Sequence, residues 1–300
     1  MLNLTSVSLK LRLFKAEEKV FLAIWNILTC ITAVCGNTFI IASIRRVSSL
    51  HLPSKVLLVC LALTDLCVGV ITQPLYVARI LFPECHSIGL YLLIGYNTTG
   101  FLFSGVSMLT ITAISVDRLL AVTLGLRYRQ VVTVWRTRTL LITFWTINMA
   151  FAIMFFHYFG VILYFVIAFT SLCILISTFC YVKICYALRH HQVTVQPPAY
   201  QGEERRQRVN QLNLMRSRKT VISAMWVQAT FLVCSLPLTI IMILVISGFR
   251  TATVFFIWDL ATSLLFFNSS LNPFIYCWKI KQVRQAVRGT VKQCCCFLQG

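Results

Sequence analysis

The stretch "ISVDRLLAV", from Ile114 to Val122, sets an acid and a base side by side, Asp117 and Arg118, where a long apolar run ends. A charge close to a bilayer core is costly, so ionisable residues there are candidates for function. A second carboxylate, Asp65, stands inside the apolar run that contains "LALTDL". A carboxylate in the middle of a membrane has to be protonated, paired or bound to an ion. A third group, "FNSSLNPFIY", puts Asn268, Ser269, Ser270, Asn272, Pro273 and Tyr276 on one apolar segment. These residue types can hold an ion and exchange hydrogen bonds. No metal-ligand spacing and no nucleophile–base pair stands out within the apolar segments, so an enzyme is not expected.

The elements that position these groups follow from composition. The 300 residues are 58% hydrophobic and 12% charged, with a mean hydropathy of +0.82. Soluble domains run at about 45–50% apolar and about 25% charged. An integral membrane protein is expected. The net charge of +19 does not indicate nucleic acid, because the basic residues lie between apolar segments instead of on one soluble unit. Most of the 13 cysteines fall inside apolar segments, where a thiol acts as a small hydrophobe.

A membrane helix needs about 20 apolar residues. Seven segments qualify, at about 20–44, 56–80, 88–118, 138–157, 160–188, 219–247 and 253–278. No charge occurs between Thr139 and Val182, a run that fits two spans joined by a tight turn near His157 to Gly160. With the N-terminus outside, 21 of the 27 Lys and Arg fall on inner segments and 6 on outer ones, which fixes the orientation. The first span is expected to serve as the signal anchor, since no cleavable signal peptide is evident at Met1. The expected organisation is an outer tail over 1–19, a seven-helix bundle over 20–278 and a cytoplasmic tail over 279–300. The polar stretch 189–217 reads as a flexible inner loop, or as an extension of the helices beside it.

Several motifs occur in order on these spans: Gly36-Asn37 in the first, "LALTDL" in the second and "DRL" closing the third. Trp145 stands in the fourth, Tyr181 in "FCYVKI" in the fifth, "FxxCxxP" (Phe231, Cys234, Pro237) in the sixth and "NPFIY" in the seventh. Taken together they resemble the rhodopsin-like G protein-coupled receptors, and the resemblance covers essentially the whole chain. It implies an all-α, seven-transmembrane, multi-pass plasma membrane receptor. By that resemblance Asp65, Ser107, Asn268, Ser269 and Asn272 would line a sodium site, with Na+ as an allosteric ion and no other cofactor. A hard cation does want oxygen ligands and neutralises a buried carboxylate.

The resemblance also implies a switch. Pro237 and Pro273 permit helix kinks, and Phe231 and Ile111 would repack as the inner half of the sixth helix swings outward. Arg118 would then leave Asp117 and face the opened cavity beside Tyr181 and Tyr276. A heterotrimeric G protein would dock there, and arrestin is a further partner. A short amphipathic helix 8 is expected over about 281–292, with Val283, Ala286 and Val287 toward lipid. Cys294, Cys295 and Cys296 behind it suggest palmitoylation, and Asn3 heads an outer glycosylation sequon. The basic inner segments also suit anionic membrane lipids.

The chain departs from the family at named positions. Leu93 stands where relatives carry the Cys of an outer disulfide, so no disulfide is expected, and Cys85 has no evident partner. Cys173 replaces a Pro in the fifth helix and Ser235 a Trp in the sixth, with Phe266 or Phe267 left to fill the space. Ser217, Arg218 and Lys219 stand where an acidic residue would restrain Arg118, so raised basal signalling is expected. These features come closest to the melanocortin, cannabinoid and adenosine type branch, but the ligand site is not matched. Leu75, Leu93 and Asn97 replace the acids that melanocortin receptors use. Gly100 replaces the Asp of amine receptors, and Phe266 the Lys of opsins.

The ligand pocket is expected between the outer halves of the third, fifth, sixth and seventh helices. Asn97, Gly100, Phe101 and Ser104 would supply one wall and Phe165 and Phe169 another. Leu238, Thr239, Met242, Trp258 and Thr262 would complete it, with Arg79, Glu84 and Asp259 at the rim. This mostly apolar lining suits a small or lipid-like molecule. A ligand-independent or dimer-partner receptor is the alternative within the fold. A transporter is a more remote one, since no internal repeat is visible.

Overall fold

The computed structural model describes residues 14–44, 51–82, 86–155, 158–193, 201–249, 251–279 and 283–289, with side chains left aside over 188–193 and 201–220. Seven long helices make the bundle: α1 (Ala16–Ile44), α2 (Leu52–Leu81), α3 (His86–Thr123), α4 (Val134–Met154), α5 (Phe159–Val193), α6 (Gln201–Ile246) and α7 (Ala252–Lys279). A short eighth helix, α8, follows over 283–289. All seven contain a stretch apolar enough to cross a membrane.

Their sidedness is that of a bundle in lipid. On α1, Asn26, Thr29 and Asn37 are buried, whereas Phe21, Ile24, Leu28 and Ile31 are exposed. Lipid cannot satisfy a polar group, so these side chains turn inward and bond to other helices. The Asn26 amide donates to Ser263 Oγ at 2.9 Å and the Asn37 amide to the Ser269 carbonyl at 3.0 Å. The Ser270 hydroxyl donates to the Thr29 carbonyl at 2.7 Å. α1 and α7 can come this close because Gly36 has no side chain. A Cβ built there would stand 2.8 Å from Pro273 Cγ. Gly36→Ala is therefore expected to cost about 1–3 kcal/mol, the usual price of overpacking; an unchanged thermal midpoint would refute this close packing.

Two backbone features were not legible beforehand. α2 carries a π-helical turn at Val68–Thr72, where the Gln73 N–H reaches back to the Val68 carbonyl. Pro74 follows, and a proline has no N–H to give; a wide turn absorbs the missing bond. The turn also re-aims the outer end of α2, including Tyr76 and Arg79. The α6–α7 connection needs Gly248, whose φ of 100° suits glycine.

Of the two readings of 189–217, helix extension is the one seen, with 189–193 and 201–217 helical. Its Gln, Glu, Arg, Leu and Met residues are good helix formers despite their polarity. α1 starts at Ala16, ahead of the span expected from about residue 20. Val283, expected to face lipid, is 1% exposed and packs into the core with Ala286 and Val287 against it. That apolar stripe covers the inner end of the bundle. Asn3, Cys85, Glu84 and Cys294 to Cys296 lie outside the described residues, as do the side chains of Ser217, Arg218 and Lys219.

Candidate functional site: an outer cavity, a buried polar cluster and an inner ion pair

At the inner end, α3 runs past Arg118 to Thr123, so Asp117 and Arg118 project from a continuous helix. Asp117 is 4% exposed and accepts three bonds. Its donors are Ser54 Oγ at 2.9 Å, the Tyr128 hydroxyl at 2.6 Å and the Arg118 guanidinium. Arg118 also donates to Ser54 Oγ. Tyr128 sits on the single helical turn Tyr128–Val131 beyond α3, and its ring lies 5.2 Å from that of His51. Burial and the Asp117 carboxylate push the Tyr128 phenol up to about 12, so it stays a donor. Burial likewise lowers the pKa of His51. Asp117 and Arg118 were read from the sequence; Ser54 and Tyr128 were not.

Tyr181 and Tyr276 face the bundle interior next to this pair, 8% and 4% exposed. Ser115 Oγ donates to the Tyr181 hydroxyl at 3.0 Å, while the buried Tyr276 hydroxyl has no partner among the described residues. Ile111 and Phe231 are both buried in the main core, six residues N-terminal to Pro237 in the case of Phe231.

Midway, Asp65 is fully buried. Its Oδ2 accepts from the Asn272 amide at 2.7 Å, and the Ser269 side chain lies near the carboxylate. Asp65 Oδ1, Asn268 Oδ1 and Asn272 Oδ1 are buried without a hydrogen-bond partner among the described residues. Ser107 donates its hydroxyl hydrogen to Thr64 Oγ1 at 2.7 Å instead of to the carboxylate. The cluster is thus rich in acceptors and short of donors, which is the donor set a hard cation takes.

At the outer end lies a cavity of about 190 Å³. It exceeds the roughly 150 Å³ cavity known to admit benzene, so a small organic molecule fits. Asn97, Gly100, Phe101, Ser104, Phe165, Phe169, Leu238, Thr239, Met242, Trp258 and Thr262, all named from the sequence, line it together. The sequence did not point to the floor at Gly105, Met108 and Asn148, or to the wall at Phe151, Phe155 and Val166. The floor is tightly built: a Cβ at Gly105 would lie 1.9 Å from Asn148 Oδ1. Phe266 lines the cavity beside Ser235, whereas Phe267 turns to α1 and pairs with Trp25 at 5.2 Å.

The rim differs from expectation. Arg79 and Asp259 are not at an open mouth; each is 4% exposed. Arg79 Nη1 donates to Asp259 Oδ1 and to the Tyr96 hydroxyl, both at 3.2 Å. The Tyr76 hydroxyl donates to the Asp259 carbonyl and carboxylate at 3.0 and 3.2 Å. Four side chains from α2, α3 and α7 form one closed network beside the cavity. The wide turn in α2 brings its two members there, and a charge pair so placed is satisfied internally.

Comparison with known proteins adds to this geometry. The family described as "7 transmembrane receptor (rhodopsin family)" matches residues 36–162 and 155–276. The chain is 27% identical over 300 residues to the adenosine receptor A3 of Ovis aries, covering 90% of this chain and 89% of that one. It is 25% identical over 281 residues to trace amine-associated receptor 5 of Mus musculus, covering 85% and 80%. A shorter match, 29% over 138 residues, is to the adenosine receptor A2b of Bos taurus, with 44% and 39% covered.

Proposed function

We propose that this chain, which belongs to the rhodopsin family of seven-transmembrane receptors, senses a small non-amine ligand in its outer cavity and activates a heterotrimeric G protein. It is a multi-pass plasma membrane receptor and not an enzyme. The observation that carries the reading is the arrangement on α6. Leu238, Thr239 and Met242 line the cavity just after Pro237, and the buried Phe231 stands just before it. A molecule seated against the outer half of α6 therefore bears on a helix whose backbone bonding is already broken. Outward movement of the inner half is the expected response, a shift between two packings. Arg118 would leave Asp117 and meet the G protein. Arrestin is a second expected partner, and palmitoylation of Cys294 to Cys296 and glycosylation of Asn3 are expected modifications.

The names of the relatives point to a nucleoside and to amines. Gly100 offers no counter-ion to an amine, and no charged side chain lines the cavity among the described residues. A cationic amine is therefore not proposed. The test is guanine-nucleotide exchange on purified G proteins of each class, with the full chain in lipid vesicles. Stimulation of at least one class supports the reading, and none, with folding verified, overturns it. A ligand-independent mode is favoured by the sixth helix, which carries Ser217, Arg218 and Lys219 at the position where an acid would hold Arg118. Basal exchange above that of receptor-free vesicles is expected, and equal rates would sink it.

We further propose Na+ at Asp65, with Ser269, Asn268, Asn272 and Ser107 as its oxygen-bearing neighbours. The unpartnered buried oxygens support it. A bound cation would neutralise Asp65 and favour the resting packing. Sodium at a hundredfold excess over its Kd should stabilise the protein by about 2.7 kcal/mol. Thermal unfolding in sodium chloride against choline chloride measures this. Asp65→Asn should melt alike in both salts; a sodium effect that survives the substitution would remove Asp65 from the site.

A further inference from the structure

The outer cavity does not end inside the bundle. Phe151 on α4 and Phe165 on α5 both line it, yet they are 36% and 55% exposed. Their rings lie 6.2 Å apart. Side chains that touch the cavity and the outer surface at once mark where its wall is thin. Phe165 sits within two turns of the start of α5 and Phe151 within one turn of the end of α4, so this thin wall faces the outer leaflet. On the opposite side, among the described residues, Tyr96 and Phe266 form its wall, and behind them Tyr76 and Arg79 both donate to Asp259.

The chemistry of the lining agrees with that route. Among the described residues it carries no charge. Most of its polar groups are already used within their own helices. Asn97 donates to the Leu93 carbonyl, Thr239 to that of Ser235 and Thr262 to that of Trp258. The hydroxyls of Ser104 and Thr170 have no acceptor among the described residues. A ligand thus finds a mostly apolar chamber in which these two hydroxyls, the Trp258 indole N–H and the side-chain oxygens of Asn97 and Asn148 are placed to meet it, which favours uncharged molecules that dissolve in lipid.

Building on the receptor reading above, we infer that the ligand is a neutral, membrane-soluble molecule that enters sideways from the outer leaflet through the Phe151–Phe165 gate between α4 and α5.

A photolabelling experiment tests this apart from signalling. The probe is an uncharged aryl trifluoromethyl diazirine dissolved in vesicles that hold the full chain. On irradiation it loses N2 and the carbene inserts into nearby C–H bonds. Adducts are mapped by mass spectrometry. Entry from lipid predicts adducts on Phe101 and Met242, which line the cavity, as well as on the lipid-facing Leu175 and Val233. The same photophore carrying a sulfonate, added in water, should leave Phe101 and Met242 unlabelled. Phe151→Ala with Phe165→Ala should speed their labelling by about two- to tenfold, the range an aromatic pair supports. Labelling of Leu175 and Val233 should not change, which also reports that the variant is folded. Adducts confined to the lipid-facing residues, cavity labelling by the sulfonate, or a rate indifferent to the gate would each overturn the inference. A chain that labels as expected but activates no G protein would instead fail the receptor reading alone.

Discussion

Asp259→Ala is expected to destabilise the protein by about 3–5 kcal/mol, although Asp259 touches neither the polar cluster nor the inner ion pair. The substitution leaves the Arg79 guanidinium 4% exposed, with the Tyr96 hydroxyl as its remaining hydrogen-bond acceptor. Burying a charge without its counter-ion is the costly case; burying a matched pair is close to neutral. Arg79→Met with Asp259→Leu removes both charges and should recover most of the loss. Tyr76→Phe removes only a donor to Asp259 and should cost about 1.5–3 kcal/mol, as a bond to a charged group does. Thermal or denaturant unfolding in detergent gives all four values. A single-variant loss below about 1 kcal/mol, as at solvent-exposed pairs, would show that water reaches the pair. Leu93, at the position where the family resemblance implies a Cys, is buried on α3 three residues before Tyr96.

Those charges show why the sequence was legible in part. Asp65, Asp117 and Arg118 declare themselves because a charge inside an apolar run has few explanations. The resemblance to the rhodopsin-like receptors then implies which outer helix faces line a pocket, and the eleven residues so named do meet around one space. Arg79 and Asp259 lie near span ends, where a charge ordinarily reaches water, so nothing in their local sequence signalled burial. Their pairing depends on the wide turn before Pro74 and on contacts 180 residues apart in the chain. Ser54 and Tyr128 were missed for a related reason. A Ser at the start of a helix and a Tyr in a connection are ordinary, and only the folded path from α3 into the turn at Tyr128 delivers that phenol to Asp117. The inner reach of α6 was left open between a flexible loop and a helix extension, because polarity alone does not separate the two. Outside the membrane a helix needs formers more than an apolar stripe.

The inner cluster yields the second large effect. Arg118→Ala should lower ligand- and basally driven nucleotide exchange by at least about tenfold, because in the proposed mechanism Arg118 leaves Asp117 to meet the G protein. The neighbours of Asp117 should act in the opposite direction. Tyr128 and Ser54 fix the carboxylate that holds Arg118, at 2.6 and 2.9 Å. A hydrogen bond to a charged group is worth about 1.5–3 kcal/mol. If that bond is made in the resting packing and lost in the active one, Tyr128→Phe raises the minor active population by about tenfold or more, since about 1.4 kcal/mol is a factor of ten. Ser54→Ala should do so more weakly, since its hydroxyl bonds both members of the pair. The phenol, pushed up to about 12, remains protonated through neutral pH, so the Tyr128 effect should not change between pH 6 and pH 9. Basal exchange in vesicles at fixed receptor density measures each variant. The double variant Arg118→Ala with Tyr128→Phe separates the mechanism from general loosening of the bundle. If Tyr128 acts by restraining Arg118, its removal gains nothing once Arg118 is gone, and the double variant stays as silent as Arg118→Ala. Raised exchange in the double variant would mean that Tyr128 restrains the inner bundle by another route, with Asp117 only a bystander.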